Sequence, residues 1–119
     1  MSESKVTIYH NTRCSKSRQT LELLEEQGVS PNIVEYMKDP PDKETIQKFT
    51  RLLGIPMRDL LRTTEQVYKD AGLDDPDLTD DDILEALAEC PSLLQRPIVI
   101  VDDKKAAIGR PPESVLEIL

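Results

Sequence analysis

The spacing of apolar residues changes several times along this chain, and each change marks an element. Val6, Ile8 and Tyr9 form a short apolar run that closes on the turn pair Asn11-Thr12, which predicts a strand over residues 5–9. Over about residues 14–27 the spacing becomes helical, with Leu21, Leu23 and Leu24 as the apolar stripe and Gly28 as the stop. Residues 32–36 (NIVEY) are a β-branched run between Pro31 and Asp39-Pro40-Pro41, which predicts a second strand. A strand–helix–strand unit of this length implies parallel pairing through a right-handed crossover. Asp42 is placed to cap a helix over 43–53, where Ile46, Phe49, Leu52 and Leu53 recur at helical spacing and Gly54 ends it. Shorter helical pieces follow at 57–62, 65–71, 80–89 (after a Thr79 cap) and 92–94. The unbroken apolar run IVIV at 98–101 has the pattern of a buried central strand. Asp102-Asp103 form a turn, residues 105–108 return as a partner strand, and 113–119 predict a last helix.

The order β-α-β, helical insert, β-β-α is an α/β plan, that of the thioredoxin-like fold, with an insert at about 42–94 that is longer than the plain fold requires. A length of 119 residues suits one domain with one core, so residues 1–119 are expected to form a single domain. The start MSESKVTIYH has no apolar leader and no run reaches membrane-spanning length. With two cysteines far apart in the chain, a disulfide framework is not expected, and a reduced, cytoplasmic protein is. The net charge of −8 argues against nucleic acid or an anionic membrane as partner. It also requires any site that handles an anion to build its own positive field.

Candidate chemistry starts at Cys14, at the predicted start of the first helix, where unpaired backbone N–H groups and the helix dipole favour a negative charge. Arg13, Lys16 and Arg18 add cations beside it. These are the conditions that lower a thiol pKa and expose the nucleophilic thiolate. The thioredoxin-like fold carries its active cysteine at this point, so the local and global readings agree. Ser17 occupies the place of the second cysteine in a C-x-x-C pair, so any redox cycle at Cys14 needs an outside thiol to resolve it. Cys90 shares an apolar helix face with Ile83 and Leu87 and reads as an inert core thiol, or as a resolving cysteine if the fold brings it to Cys14. Arg62, Arg96 and Arg110 stand at ends of predicted elements. Each reads either as a solvated charge or as a bidentate ligand for a tetrahedral oxyanion. His10, four residues before Cys14, is either a hydrogen-bonding partner of the thiol or a surface histidine. Pro97 opens a strand where a cis proline would shape a site facing the cysteine. One histidine and two separated cysteines give no zinc spacing, and no Gly-rich phosphate loop is present.

The segments IYHNTRCSKSR, MRDLLR, RPIVIVDD and GRPPESVLEIL together resemble the glutaredoxin-dependent arsenate reductase family over about residues 5–119, and CSKSR looks closer to its chromosomal members. The resemblance implies a thioredoxin-like fold with a helical insert and no bound cofactor. It implies that Cys14 attacks arsenate to form a thiol–arsenate adduct, that glutathione joins as co-substrate, and that glutaredoxin reduces the adduct and releases arsenite. The family's oxyanion-binding arginines correspond to Arg62, Arg96 and Arg110, its histidine to His10 and its cis proline to Pro97. Spx-type regulators share this fold and bind RNA polymerase instead of a substrate. Those with a redox switch carry a C-x-x-C that Ser17 breaks. A glutathione-linked reductase of another substrate is a third reading.

Overall fold

A computed structural model describes residues 5–119; residues 1–4, part of the start read as lacking a leader, lie outside the described range. The chain divides into two compact units, one formed by the segment ending at Asp39 together with Arg96–Leu119, the other by Pro40–Gln95.

The first unit is built on a four-stranded sheet. Strands β1 (Val6–His10), β2 (Asn32–Glu35), β3 (Ile98–Val101) and β4 (Lys105–Ile108) lie in the order β2-β1-β3-β4. β1 pairs parallel with β2, across helix α1 (Ser15–Glu26), and antiparallel with β3, which pairs antiparallel with β4. This is the thioredoxin-like β-α-β and β-β-α arrangement. Alternation along β1 sends Val6, Ile8 and His10 to the same face. There Val6 and Ile8 join Leu24, Val99, Val101 and Val115 in a buried cluster. The β3–β4 turn sets both Asp102 and Asp103 at φ 55°, the left-handed pair of a type I′ turn, which short Asp side chains tolerate.

The buried stripe of α1 is Ser17, Thr20 and Leu24; Leu21 and Leu23, expected in the stripe, are only partly buried against the core. The two polar positions are enclosed because each finds a partner. Thr20 Oγ1 donates to the Lys16 carbonyl at 2.8 Å, and Ser17 bonds toward β1.

The second unit, at the place expected for the insert, is helical. α2 (Lys43–Leu53) starts where the Asp42 carboxylate accepts the Thr45 N–H at 2.8 Å and ends on left-handed Gly54. α3 (Gln66–Asp70) is a short turn, and α4 (Asp80–Glu89) opens on a full capping box between Thr79 and Asp82. α2 and α4 pack together, and Ile46, Phe49, Ile83, Leu87 and Leu93 are buried. Three pieces expected as ordinary helix are 3-10 turns instead, at Met57–Leu60, Pro91–Leu93 and, in the first unit, Pro112–Ile118. Each begins at or directly after a proline, and the bonds at their starts span three residues, as in Asp59 N–H to Pro56 O and Ser114 N–H to Pro111 O. No helix among the described residues is long and apolar enough to cross a membrane.

Gly109 is a close backbone approach in the first unit. A Cβ there would overlap Thr20 Oγ1 and lie 2.8 Å from Pro97 Cγ. Gly109→Ala should therefore destabilise the fold by about 1–3 kcal/mol through overpacking. The expected readout is a lower urea midpoint at an unchanged denaturant slope; a midpoint equal to the parent's would show that Thr20 and Pro97 yield freely.

A candidate active site at Cys14

Three segments of the first unit meet at one end of the sheet, and the strand register is what brings them there. Tyr9 of β1 is opposite Ile98, and Ile98 is opposite Ile108. Arg96 lies two residues before Ile98 and Arg110 two residues after Ile108, so the antiparallel pairing of β3 and β4 sets these two arginines side by side. The ladder continues past the strands with Gly109 N–H donating to the Pro97 carbonyl at 2.9 Å. The Arg110 Nε–H then donates to the Arg96 carbonyl at 2.9 Å, which fixes the guanidinium. β1 leaves the sheet at the same end and runs through Asn11–Arg13 into Cys14.

Cys14 is the N-cap of α1, with extended backbone (φ −93°, ψ 121°), and no side chain caps the helix in its place. Its N–H donates to the Asn11 carbonyl at 3.0 Å, closing the loop. The half-buried sulfur has a pKa below the ordinary thiol value. Burial pushes the thiol up, but hydrogen bonds from the Ser17 N–H, the Arg96 guanidinium and the Lys16 N–H, together with the Arg96 charge, outweigh it. Arg110 Nη2 lies 3.6 Å from Sγ. The expected cations Arg13, Lys16 and Arg18 act differently from their sequence reading. Lys16 contributes its backbone N–H, and Arg18 turns its side chain to the Thr12 carbonyl at 2.8 Å.

Behind the sulfur lies a buried polar layer. His10, in phase with Val6 and Ile8, faces α1, and its Nδ1 is 2.6 Å from Ser17 Oγ. Ser17 Oγ also accepts the Asn11 N–H at 3.0 Å, and Ser17 is fully buried. Burial lowers the His10 pKa, against the raising effect of Glu35 and with a further lowering from Arg18, so the imidazole is neutral at pH 7. Tyr36, fully buried, accepts a 3.5 Å hydrogen bond from Asn11 Nδ2 and bonds with Arg96. Burial raises the Tyr36 pKa, with Arg96 opposing. Arg96 is thus held between the Tyr36 phenol and the Cys14 sulfur, and its own pKa is raised because these partners outweigh its burial.

Of the residues singled out from the sequence, Cys14, His10, Arg96, Pro97 and Arg110 all belong to this one end of the sheet, and the Arg96–Pro97 bond is cis. The Arg110–Pro111 bond is cis as well, which the sequence reading did not anticipate. Arg62 and Cys90 belong to the second unit. There the Arg62 N–H donates to the Leu93 carbonyl at 2.7 Å and its Nε lies 3.8 Å from Glu65, while Cys90 terminates α4. Ser17, Asn11 and Tyr36 were not singled out as site residues. For Ser17 a signal existed, because the i, i+3, i+7 spacing with Thr20 and Leu24 marks a helix face. For Tyr36 there was none, since the end of a strand does not tell which loop its phenol meets. Among the described residues no group of His, Cys, Asp and Glu is placed to hold a metal ion.

A nucleophilic sulfur at a helix start with two guanidinium groups on it can dock and attack an anion. The chain resembles known proteins over nearly its whole length. Residues 9–118 match the ArsC family. The chain is 47% identical over 116 residues to the uncharacterized protein YfgD of Escherichia coli strain K12, covering 97% of each. It is 47% identical over 115 residues to the arsenate reductase of Haemophilus influenzae, covering 96% of this chain and 98% of that one. The solved structure of an arsenate reductase from Vibrio cholerae superposes with a TM-score of 0.95 at 44% identity, over 99% of this chain and 100% of that one.

The electrostatics lead to a direct test. Cys14 should alkylate with iodoacetamide faster than Cys90 at pH 7, with a rate midpoint below that of an ordinary thiol. Arg96→Met removes a hydrogen bond and a charge from the thiolate and should move that midpoint upward. A midpoint unmoved by the substitution would show that Arg96 does not lower the thiol pKa.

Proposed function

The chain belongs to the ArsC family, and on that premise we propose that it reduces arsenate to arsenite with Cys14 as nucleophile and glutathione and glutaredoxin as electron donors. The observation that carries this reading is the pair of guanidinium groups, Arg96 and Arg110, at a thiol whose pKa is lowered. Arsenate is a tetrahedral dianion, and charge-assisted N–H donors match its oxygens while lowering the repulsion it meets from the approaching thiolate. Arg62 enters from the family resemblance as a third oxyanion ligand, not from the geometry of the first unit.

In this reading the Cys14 thiolate forms an S–As bond, and a protonated arsenic oxygen leaves as water, with arsenic still As(V). The glutathione thiol forms a second S–As bond, and another oxygen leaves as water. A glutaredoxin thiolate then attacks the glutathione sulfur. The new S–S bond forms as the glutathione S–As bond breaks, and that electron pair stays on arsenic, taking it to As(III). Water releases arsenite and returns Cys14 as a thiol. Ser17 supports the external donors, because this motif has no second thiol to complete a disulfide cycle. Donors of this class are held reduced in the cytosol, where the reaction would run.

Purified protein with glutathione, glutaredoxin and a reductase-coupled assay should consume arsenate, and Cys14→Ser should abolish turnover. Full turnover by the serine variant would remove Cys14 from the reaction. Arg96→Ala should raise the KM for arsenate by about ten- to a hundredfold, from the ~1.5–3 kcal/mol of a charge-assisted hydrogen bond. Arg110→Ala, at an exposed position, should raise it by less. An unchanged KM in Arg62→Ala would remove that residue from the oxyanion set.

A further inference from the structure

We propose that the cavity between the Asn11–Arg13 loop and the end of β2 is the docking site of the external thiol, built for the charge pattern of glutathione; this rests on the arsenate-reductase reading above. The cavity has a volume of about 300 Å³ and is walled by the loop that precedes Cys14 on one side and by Glu35, Met37 and Lys38 on the other. It opens at the carboxyl ends of the parallel pair β1 and β2, where His10 and Glu35 are register partners. The crevice outside the carboxyl ends of parallel strands is where open α/β sheets bind ligands.

The need for such a site follows from Ser17. With no second thiol in the motif, the glutathione of the proposed reaction has to reach an arsenic already bonded to Cys14. Arg13, the residue before Cys14 in sequence, is part of the cavity wall, so the loop that leads into the nucleophile also forms one side of the proposed site. The wall chemistry then selects the donor. Exposed Arg13 and Lys38 present two cations, and Glu35, 3.8 Å from the Lys38 ammonium, presents one carboxylate. Met37 adds an apolar surface that is 48% exposed. Glutathione carries two carboxylates and one ammonium on either side of its thiol, the complementary set. The volume is at the small end of ligand pockets, roughly 300–1,000 Å³, which admits a tripeptide and excludes a folded protein. On a chain of net charge −8 an anionic tripeptide gains from a local pair of cations. Docked there, its sulfur forms the second S–As bond as an arsenic oxygen leaves as water.

S-methylglutathione keeps the charges and cannot react. Titrated into the Cys14→Ser protein, it should shift amide resonances at residues 11–13 and 35–38. The double reversal Arg13→Glu with Lys38→Glu should weaken that binding by about tenfold. In turnover the same reversal should raise the KM for glutathione by a similar factor and by more than the KM for arsenate, with little effect on turnover driven by 2-mercaptoethanol, which has no carboxylate. Resonance shifts elsewhere, or binding indifferent to the reversal, would overturn the docking site. If the parent reduces arsenate and the KM for glutathione stays within twofold in the variant, the docking site falls and the arsenate reading stands. If the parent reduces no arsenate yet binds S-methylglutathione at these residues, the arsenate reading falls and the docking site stands.

Discussion

A negative charge on a half-buried sulfur needs fixed donors around it, and one end of the first unit's sheet supplies them. Burial alone would push the Cys14 thiol up and leave it protonated. What reverses the sign is a set of donors that cannot reorganise away: two backbone N–H groups of the first turn of α1 and a guanidinium that a buried phenol grips from the other side. Fixed donors of this kind stabilise charge without first having to be oriented, which is why they outweigh desolvation here. The same donors are what an incoming oxyanion would meet.

Sheet register turns this local requirement into a constraint on the whole unit. Arg96 and Arg110 are fourteen residues apart in sequence and adjacent in space only because β3 and β4 pair with Ile98 opposite Ile108. A slip of one residue would exchange the faces of Val99 and Val101 with those of Ile98 and Ile100, all four of them buried, and shift the arginines past each other. The close approach at Gly109 and the type I′ turn at Asp102-Asp103 both hold that register. His10 depends on register too, since its position on the α1 side of β1 follows from being in phase with Val6 and Ile8. The core and the site are therefore read from one alternation.

The parts of this that sequence made legible are those with local causes. α2 and α4 begin and end where expected because Asp42, Thr79 and Gly54 satisfy backbone groups within four residues of themselves. Cys14 could be suspected for the same reason, as the N-cap of a helix whose start the pattern marks. Hydrophobicity alone misplaces the buried stripe of α1, which runs through Ser17 and Thr20 to Leu24. Ser17 and Thr20 are enclosed through hydrogen bonds to residues on other elements or on the preceding turn, which composition does not reveal. Short apolar pieces around prolines carry no signal that separates 3-10 from α winding. Tyr36 shows the limit most clearly. Its role depends on Asn11, twenty-five residues away, and on Arg96, across the sheet, so only the assembled unit shows it gripping the cation that holds the thiolate.

Net charge completes the physical picture. A chain at −8 repels anions at long range, and at physiological salt that repulsion is damped beyond about 8 Å. Inside that distance the field at Cys14 is set by Arg96, Arg110 and the helix start. His10 stays neutral and adds nothing to it. A site built this way does not depend on attracting its anion from afar. It depends on short, directional donors once the anion has arrived, and it keeps those donors at any pH where arginine is charged. The buried Ser17, bonded to His10 and to the Asn11 N–H, keeps the loop shape that presents the sulfur.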